Sequence, residues 1–223
     1  MATESQVISK QRVTDHGEVL TGKREVDAML DLVKQETENI ESRFLEPACG
    51  NGNFLAEILE RKMCVVERRH GKNQLEYERN AVLAVSSIYG IDKQEDNVTE
   101  CRQRLFEIFD CKYTARFKAN AKEECRDSVK YILRRNIVYG DALSLKTVDE
   151  KALIVFSEWS PVNGSMIKRR DFTFSDLIET EETGQDTLFV AEEYSDLGKR
   201  AFIPKEIMSY PLIHFLKVRE HGE

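Results

Sequence analysis

Arg43-Phe44-Leu45-Glu46-Pro47-Ala48-Cys49-Gly50-Asn51-Gly52-Asn53-Phe54-Leu55 sets the reading of everything around it. An apolar, extended run ends at Glu46-Pro47. Two glycines follow, and Phe54-Leu55-Ala56-Glu57-Ile58-Leu59 has the composition of a helix. The stretch therefore reads as strand, glycine turn, helix, with Asn53 as the expected N-cap. A turn of this kind lets backbone amides and a helix N-terminus come close to a ligand, because glycine carries no Cβ. Alone it is weak evidence, since many tight β–α turns use glycine and bind nothing.

Working outward, 223 residues suit one α/β domain with a sizeable core. No apolar run approaches the roughly 20 residues of a membrane span, and Met1-Ala2-Thr3-Glu4-Ser5 has neither the basic nor the apolar region of a signal peptide. The five cysteines, Cys49, Cys64, Cys101, Cys111 and Cys125, have no metal-ligand spacing and read as reduced thiols of a cytoplasmic protein. The net charge of −7 argues against a protein that is basic throughout, and leaves nucleic-acid contact to a local patch or a partner.

Residues 1–15 are polar and read as loose. Val26, Met29, Leu30 and Val33 recur at helical spacing after Thr21, an expected cap. The charged segment from Glu67 to Glu78, with Arg68-Arg69-His70-Gly71-Lys72, reads as a solvated loop before a helical pattern at Leu75–Val85. Ser86–Asp92 reads as a second strand ending in an acid. Asp96–Phe109 and Ala119–Arg135 follow as helices, and Asn136–Leu143 as a third strand and turn through Gly140-Asp141. Ala152-Leu153-Ile154-Val155-Phe156 reads as a buried central strand, with Ser157-Glu158-Trp159-Ser160-Pro161 as the loop beyond it. Lys168-Arg169-Arg170 is a compact basic cluster, Thr187–Val190 a short strand, and His214 a packed rather than catalytic side chain. The alternation of strands and helices predicts an open α/β sheet with ligands at the strand C-termini.

Glu46-Pro47-Ala48-Cys49-Gly50-Asn51-Gly52-Asn53-Phe54-Leu55 resembles the first cofactor motif of S-adenosylmethionine-dependent DNA methyltransferases of the adenine-N6 type. Gly17-Glu18-Val19-Leu20-Thr21 is similar to the segment that precedes that motif in one circular order of the family, with Leu20 where Phe is common and Gly22 where Pro is common. Asp92 and Asp141-Ala142 resemble its second and third motifs. The resemblance covers residues 16–160 and implies a Rossmann-like open twisted sheet of the class I methyltransferases, with residues 161–223 packing on it as an extension of the same single domain. It implies S-adenosylmethionine as cofactor, bound by Thr21, Glu46, Pro47, Ala48, Cys49, Gly50 and Gly52. Asp92, with Lys93 beside it, would take the ribose hydroxyls, Asp141 the adenine amine, and the backbone amide of Ala142 a ring nitrogen.

The family's catalytic tetrapeptide, Asn/Asp/Ser-Pro-Pro-Tyr/Phe, is not present. Ser157 takes its polar position and Trp159 offers an aromatic face for a base extruded from the duplex. Two roles follow from the resemblance. In one, the chain methylates adenine N6 in DNA within a restriction-modification system, with a specificity or restriction subunit reading sequence. In the other, it is a catalytically inactive cofactor-binding or regulatory subunit of such a complex. An NAD-dependent dehydrogenase is disfavoured: Gly52 and Asp92 are 40 positions apart, and the usual spacing is about 20.

Overall fold

The computed structural model describes residues 21–178 and 205–221, together with two short strands at 193–194 and 200–201. The expectations for residues 1–20 and for Thr187–Val190 lie outside the described residues.

Three parallel strands, β1 (Phe44–Glu46), β2 (Ile88–Asp92) and β3 (Ile137–Asp141), lie side by side in that order. β4 (Lys146–Thr147) closes the sheet antiparallel to β3. α1 (Lys23–Asp31) and α2 (Lys34–Thr37) precede β1; α3 (Asn53–His70) and α4 (Gln74–Ser86) link β1 to β2, and α5 (Glu95–Phe117) and α6 (Glu123–Asn136) link β2 to β3. The fold is thus α/β with a mixed sheet of parallel and antiparallel strands.

Strand alternation divides the core. Ile88 and Ile137 point to the face covered by α3–α6, and the partly buried Phe44 and Tyr139 pack against the same cluster. Tyr89 and Ile91 point to the other face, against Ile154, Phe156 and Phe174. The four long helices pack against one another, so most of the apolar core lies on one side. Leu55, Ile58, Leu59, Met63, Val65 and Val66 of α3 are all buried there, each contributing about 1.5–3 kcal/mol.

The segment expected as a loop from Glu67 to Glu78 is mostly helix. Glu67, Arg68 and Arg69 continue the helical period set by the buried Val65 and Val66, so α3 runs on to His70. Gly71 ends it, donating its N–H to the Glu67 carbonyl, and the Asn73 side chain caps α4 by accepting from the Glu76 N–H at 3.2 Å. Three residues, Gly71–Asn73, make the turn. α5 also extends beyond its expected end at Phe109, because Tyr113 continues its buried face. At α1 the apolar periodicity is only partly used: Val26 and Leu30 are buried, whereas Met29 and Val33 are exposed.

Lys62 is fully buried in the middle of α3. Its ammonium donates to the Ile40 carbonyl at 3.2 Å, to Ser87 Oγ at 2.5 Å and to the Ser42 carbonyl. These contacts tie the chain entering β1 to the chain entering β2. Burial lowers the Lys62 pKa from 10.5 to about 7, with Glu36 opposing. The unfolded chain, with its higher pKa, therefore holds more protons than the folded one between about pH 7 and pH 10. Stability rises with pH across that window, by up to roughly 1.4 kcal/mol per pH unit; below it both states are protonated and the slope vanishes. Urea unfolding at pH 7, 8 and 9 should show the gain in the wild type and not in Lys62→Met. Parallel profiles in the two proteins would remove Lys62 as the cause.

Beyond β4 the chain forms a second, antiparallel sheet. β5 (Val155–Pro161) pairs with β6 (Met166–Thr173) along its whole length, from Val155↔Thr173 to Pro161↔Ile167. α7 (Phe174–Ile178) follows; β7 (Glu193–Tyr194) pairs only with β8 (Arg200–Ala201), and β9 (Met208–Ser209) and β10 (Ile213–His214) both pair with β6. The central parallel strand expected at Ala152–Phe156 is therefore replaced by a hairpin strand that begins at Val155. His214 stacks on Phe215 with ring centroids 4.7 Å apart, and its Nδ1 accepts from the Leu216 N–H. No described helix is long and apolar enough to cross a membrane.

Candidate functional site

The parallel strands β1, β2 and β3 end at the same edge of the sheet in Glu46, Asp92 and Asp141. The turn after β1 wraps that edge. Gly50 and Gly52 both have positive φ, +51° and +87°. A Cβ on Gly52 would stand 2.7 Å from Cys101 Sγ, so glycine is needed there for space as well as for conformation. The Cys49 N–H donates to the Ile91 carbonyl at 2.9 Å and the Gly52 N–H to the Cys49 carbonyl at 2.8 Å. Gly52, not Asn53, is the residue preceding the helix; Asn53 is its first residue. The Asn53 side chain instead reaches outward: Nδ2 donates to the Thr21 carbonyl at 2.8 Å, and Oδ1 accepts from Arg104 at 2.6 Å. Thr21 is thereby fastened beside the glycine turn. Its side chain does not cap α1, whose N-cap is Gly22.

Asp92 is already committed to several donors. Oδ2 accepts from the Gly50 N–H at 2.9 Å; Oδ1 accepts from the Gln94 N–H at 2.8 Å and from Asn97 Nδ2 at 3.2 Å. A carboxylate has about four lone-pair directions, so one remains for a ligand. Its first task is to hold the turn. Glu46 is less occupied: Oε1 accepts from the Ala48 N–H at 3.3 Å. Burial holds its carboxyl above the usual carboxylate range, partly offset by that hydrogen bond. The half-buried Asp141 carboxylate is held below its usual range, first by the Leu143 N–H at 3.0 Å and then by Lys93, 3.1 Å away. Pro47 and Ala48 form the turn itself, and Ala142 is partly buried against the cluster of Tyr89, Ile91, Ile154, Phe156 and Phe174. Cys49 is buried with its thiol against that of Cys101, which with burial pushes its pKa far up, so it is no nucleophile.

The remaining pair lies elsewhere. Ser157 and Trp159 are strand residues of β5, both buried. Trp159 Nε1 donates to Asn136 Oδ1 at 3.1 Å. Asn136 in turn donates to the carbonyls of Ser86 and Ile88, at the start of β2. Trp159 therefore docks at the N-terminal edge of the parallel strands, about 16 Å of strand from the carboxylate edge at about 3.3 Å per residue. Ser157 Oγ donates to Asp171 Oδ1 at 2.7 Å and accepts from Arg169 Nε at 3.1 Å. The expected loop at Ser157–Pro161 is thus corrected: a hairpin pairs the segment residue for residue, and the Ser157 and Trp159 side chains are buried in packing and hydrogen bonds. Arg169, from the expected basic surface cluster, is also buried and bound to Asp171, while Arg170 pairs with Glu158.

Sequence reasoning missed Asn97 and Arg104, and read Asn53 as a cap where its side chain instead joins Thr21 to Arg104. Asn97 stands five residues after Asp92, a buried polar side chain on the inner face of α5. Among the described residues no group of three or more His, Cys, Asp or Glu is arranged to hold a metal ion. The edge instead offers anionic acceptors on a backbone bent close to the surface. That set suits a ligand with hydroxyls, an amine and a positive charge. No protein-family profile, curated protein or solved structure matches this chain.

Proposed function

We propose that this protein binds S-adenosylmethionine along the carboxylate edge and serves DNA adenine-N6 methylation in a restriction-modification system. The observation that carries the reading is that the parallel strands β1, β2 and β3 end in Glu46, Asp92 and Asp141 at one sheet edge, beside a turn with two positive-φ glycines. Glu46 and the remaining acceptor position of Asp92 suit vicinal ribose hydroxyls. Asp141, held by Lys93, suits an exocyclic amine. The negative rim favours a sulfonium cation. When bound, that cofactor supplies an electrophilic methyl group; the residues of this chain bind and orient it.

Of the two roles, the burial of Ser157 and Trp159 at the opposite edge favours the cofactor-binding subunit over a self-sufficient methyltransferase. Calorimetry with S-adenosylmethionine, and with NAD as comparison, tests the site. Asp92→Ala releases the Gly50 N–H and should weaken S-adenosylmethionine binding at least 30-fold, whereas Trp159→Phe should leave it within twofold. Absence of any heat with S-adenosylmethionine removes the reading. Incubation with labelled methyl donor and DNA, followed by nucleoside mass spectrometry, separates the roles: N6-methyladenine made by this chain alone overturns the subunit assignment.

A further inference from the structure

At the far end of α3 and α5 from the glycine turn, five cations gather on one surface. Arg68 and Arg69 lie in the last turn of α3, and Lys72 in the turn after it. Arg116 is in the last turn of α5, and Lys118 follows that helix; all five are exposed. Arg116 Nε donates to the Gly71 carbonyl at 2.9 Å, which brings the two helix ends together. Arg68, Arg69, Lys72 and Lys118 have no ion pair among the described residues. The neighbouring carboxylates are engaged: Glu67 faces Lys112, and Glu76 pairs with Arg79.

The concentration is unusual for this chain, which carries 40 acidic against 33 basic residues. Several cations elsewhere, Lys23, Arg43, Arg61, Lys93, Lys122 and Arg126 among them, have carboxylate partners, whereas exposed Lys130, Arg134, Lys146 and Lys151 have no ion pair among the described residues. Cations in a last helical turn do favour the helix dipole. That accounts for Arg68, Arg69 and Arg116, but not for Lys72 and Lys118, which lie past the helix ends, nor for the gathering of two ends on one surface. A membrane-binding surface would set large apolar side chains beside the charges, and among the described residues Leu75 is the one large apolar side chain exposed in these turns.

We propose that this surface docks the phosphate backbone of duplex DNA. The choice of DNA over other polyphosphates rests on the function proposed above; the surface itself is independent of the cofactor site. α3 spans 18 residues, about 27 Å at 1.5 Å per residue, so the docked duplex lies roughly eight base pairs' length from the carboxylate edge. The contact anchors DNA without presenting a base to that edge. It is read through charge, not through base edges.

Fluorescence anisotropy with a labelled 20-base-pair duplex, in 50 to 200 mM salt and without S-adenosylmethionine, is the test. Binding should be independent of sequence, with a log–log salt slope of about −3 to −4, near −0.9 for each of about four phosphates neutralised. Arg68→Ser/Arg69→Ser/Lys72→Ser should lose at least tenfold in affinity at 50 mM salt and flatten the slope by about 2 to 3. Arg116→Ser/Lys118→Ser, a second variant outside α3, should lose part of both. Lys146→Ser/Lys151→Ser/Lys205→Ser, which removes as many exposed charges elsewhere, should bind as the wild type does. No binding, equal losses in the control variant, or binding to phosphatidylserine vesicles in place of DNA overturns the proposal. Calorimetry with S-adenosylmethionine on the same samples keeps a failure here distinct from a failure of the cofactor site.

Discussion

Asp171→Ala should lower stability by about 3–5 kcal/mol, the range for breaking a buried ion pair from one side. The carboxylate is 5% exposed and the guanidinium of Arg169 2%. Arg169 donates to both its oxygens, Nε at 2.8 Å and Nη2 at 2.7 Å. Arg135 at 3.2 Å, Ser157 at 2.7 Å and Tyr210 at 3.3 Å also donate to it. Removing the carboxylate leaves Arg169 charged and enclosed, with its guanidinium 4.0 Å from the Tyr210 ring centroid and 5.6 Å from that of Trp159. Arg169→Met/Asp171→Leu removes both charges and should recover most of the loss. Chemical denaturation of the three proteins checks this. If Asp171→Ala costs under about 1 kcal/mol, Asp171 is not the anchor of the hairpin, since that is the range of a surface pair.

Gly52→Ala should cost about 2–5 kcal/mol, from two separable sources. The positive φ costs a β-carbon residue roughly 1–2 kcal/mol. The new methyl also meets Cys101 Sγ at 2.7 Å in a filled core, and overpacking of that kind costs about 1–3 kcal/mol. Shortening Cys101 to alanine removes the sulfur and leaves the backbone conformation alone. Gly52→Ala should therefore cost only about 1–2 kcal/mol when introduced into Cys101→Ala, and denaturation midpoints around this double-mutant cycle measure the difference. An equal cost in both backgrounds would show that the thiol gives way freely.

The parts of this fold that were legible in the sequence are those fixed by local chemistry. Gly50 and Gly52 announce a turn because few other residues can take its backbone. Asp92 and Asp141 announce strand ends because an acid follows an apolar run. The hairpin was not legible by the same reasoning. Ala152–Phe156 is apolar enough for a buried parallel strand, and Ser157-Glu158-Trp159-Ser160 looks like a loop if polarity alone is weighed. The distinguishing signal was period-two alternation. Ser157 and Trp159 point one way and Glu158 the other, while Arg169 and Asp171 alternate in step on the partner strand. A serine, an arginine and an aspartate read as surface residues until their mutual hydrogen bonds make a shared interior for them. The committed state of Asp92 was equally invisible, because its donors come from the chain around positions 50, 94 and 97 and only the folded backbone brings them together.

β1 has three residues and, among the described residues, one neighbour, β2. Amide exchange should follow from this. Opening β1 breaks few hydrogen bonds and exposes little core, so its amides should exchange through a small local fluctuation, while those of Ile91 and Val138, paired in mid-sheet, should wait for global unfolding. The glycine turn hangs from that lightly held strand, with Lys62 gripping the Ile40 and Ser42 carbonyls just before it. A ligand seated on the turn would therefore register first as slowed exchange at Phe44–Glu46, long before any change in the overall melting of the protein.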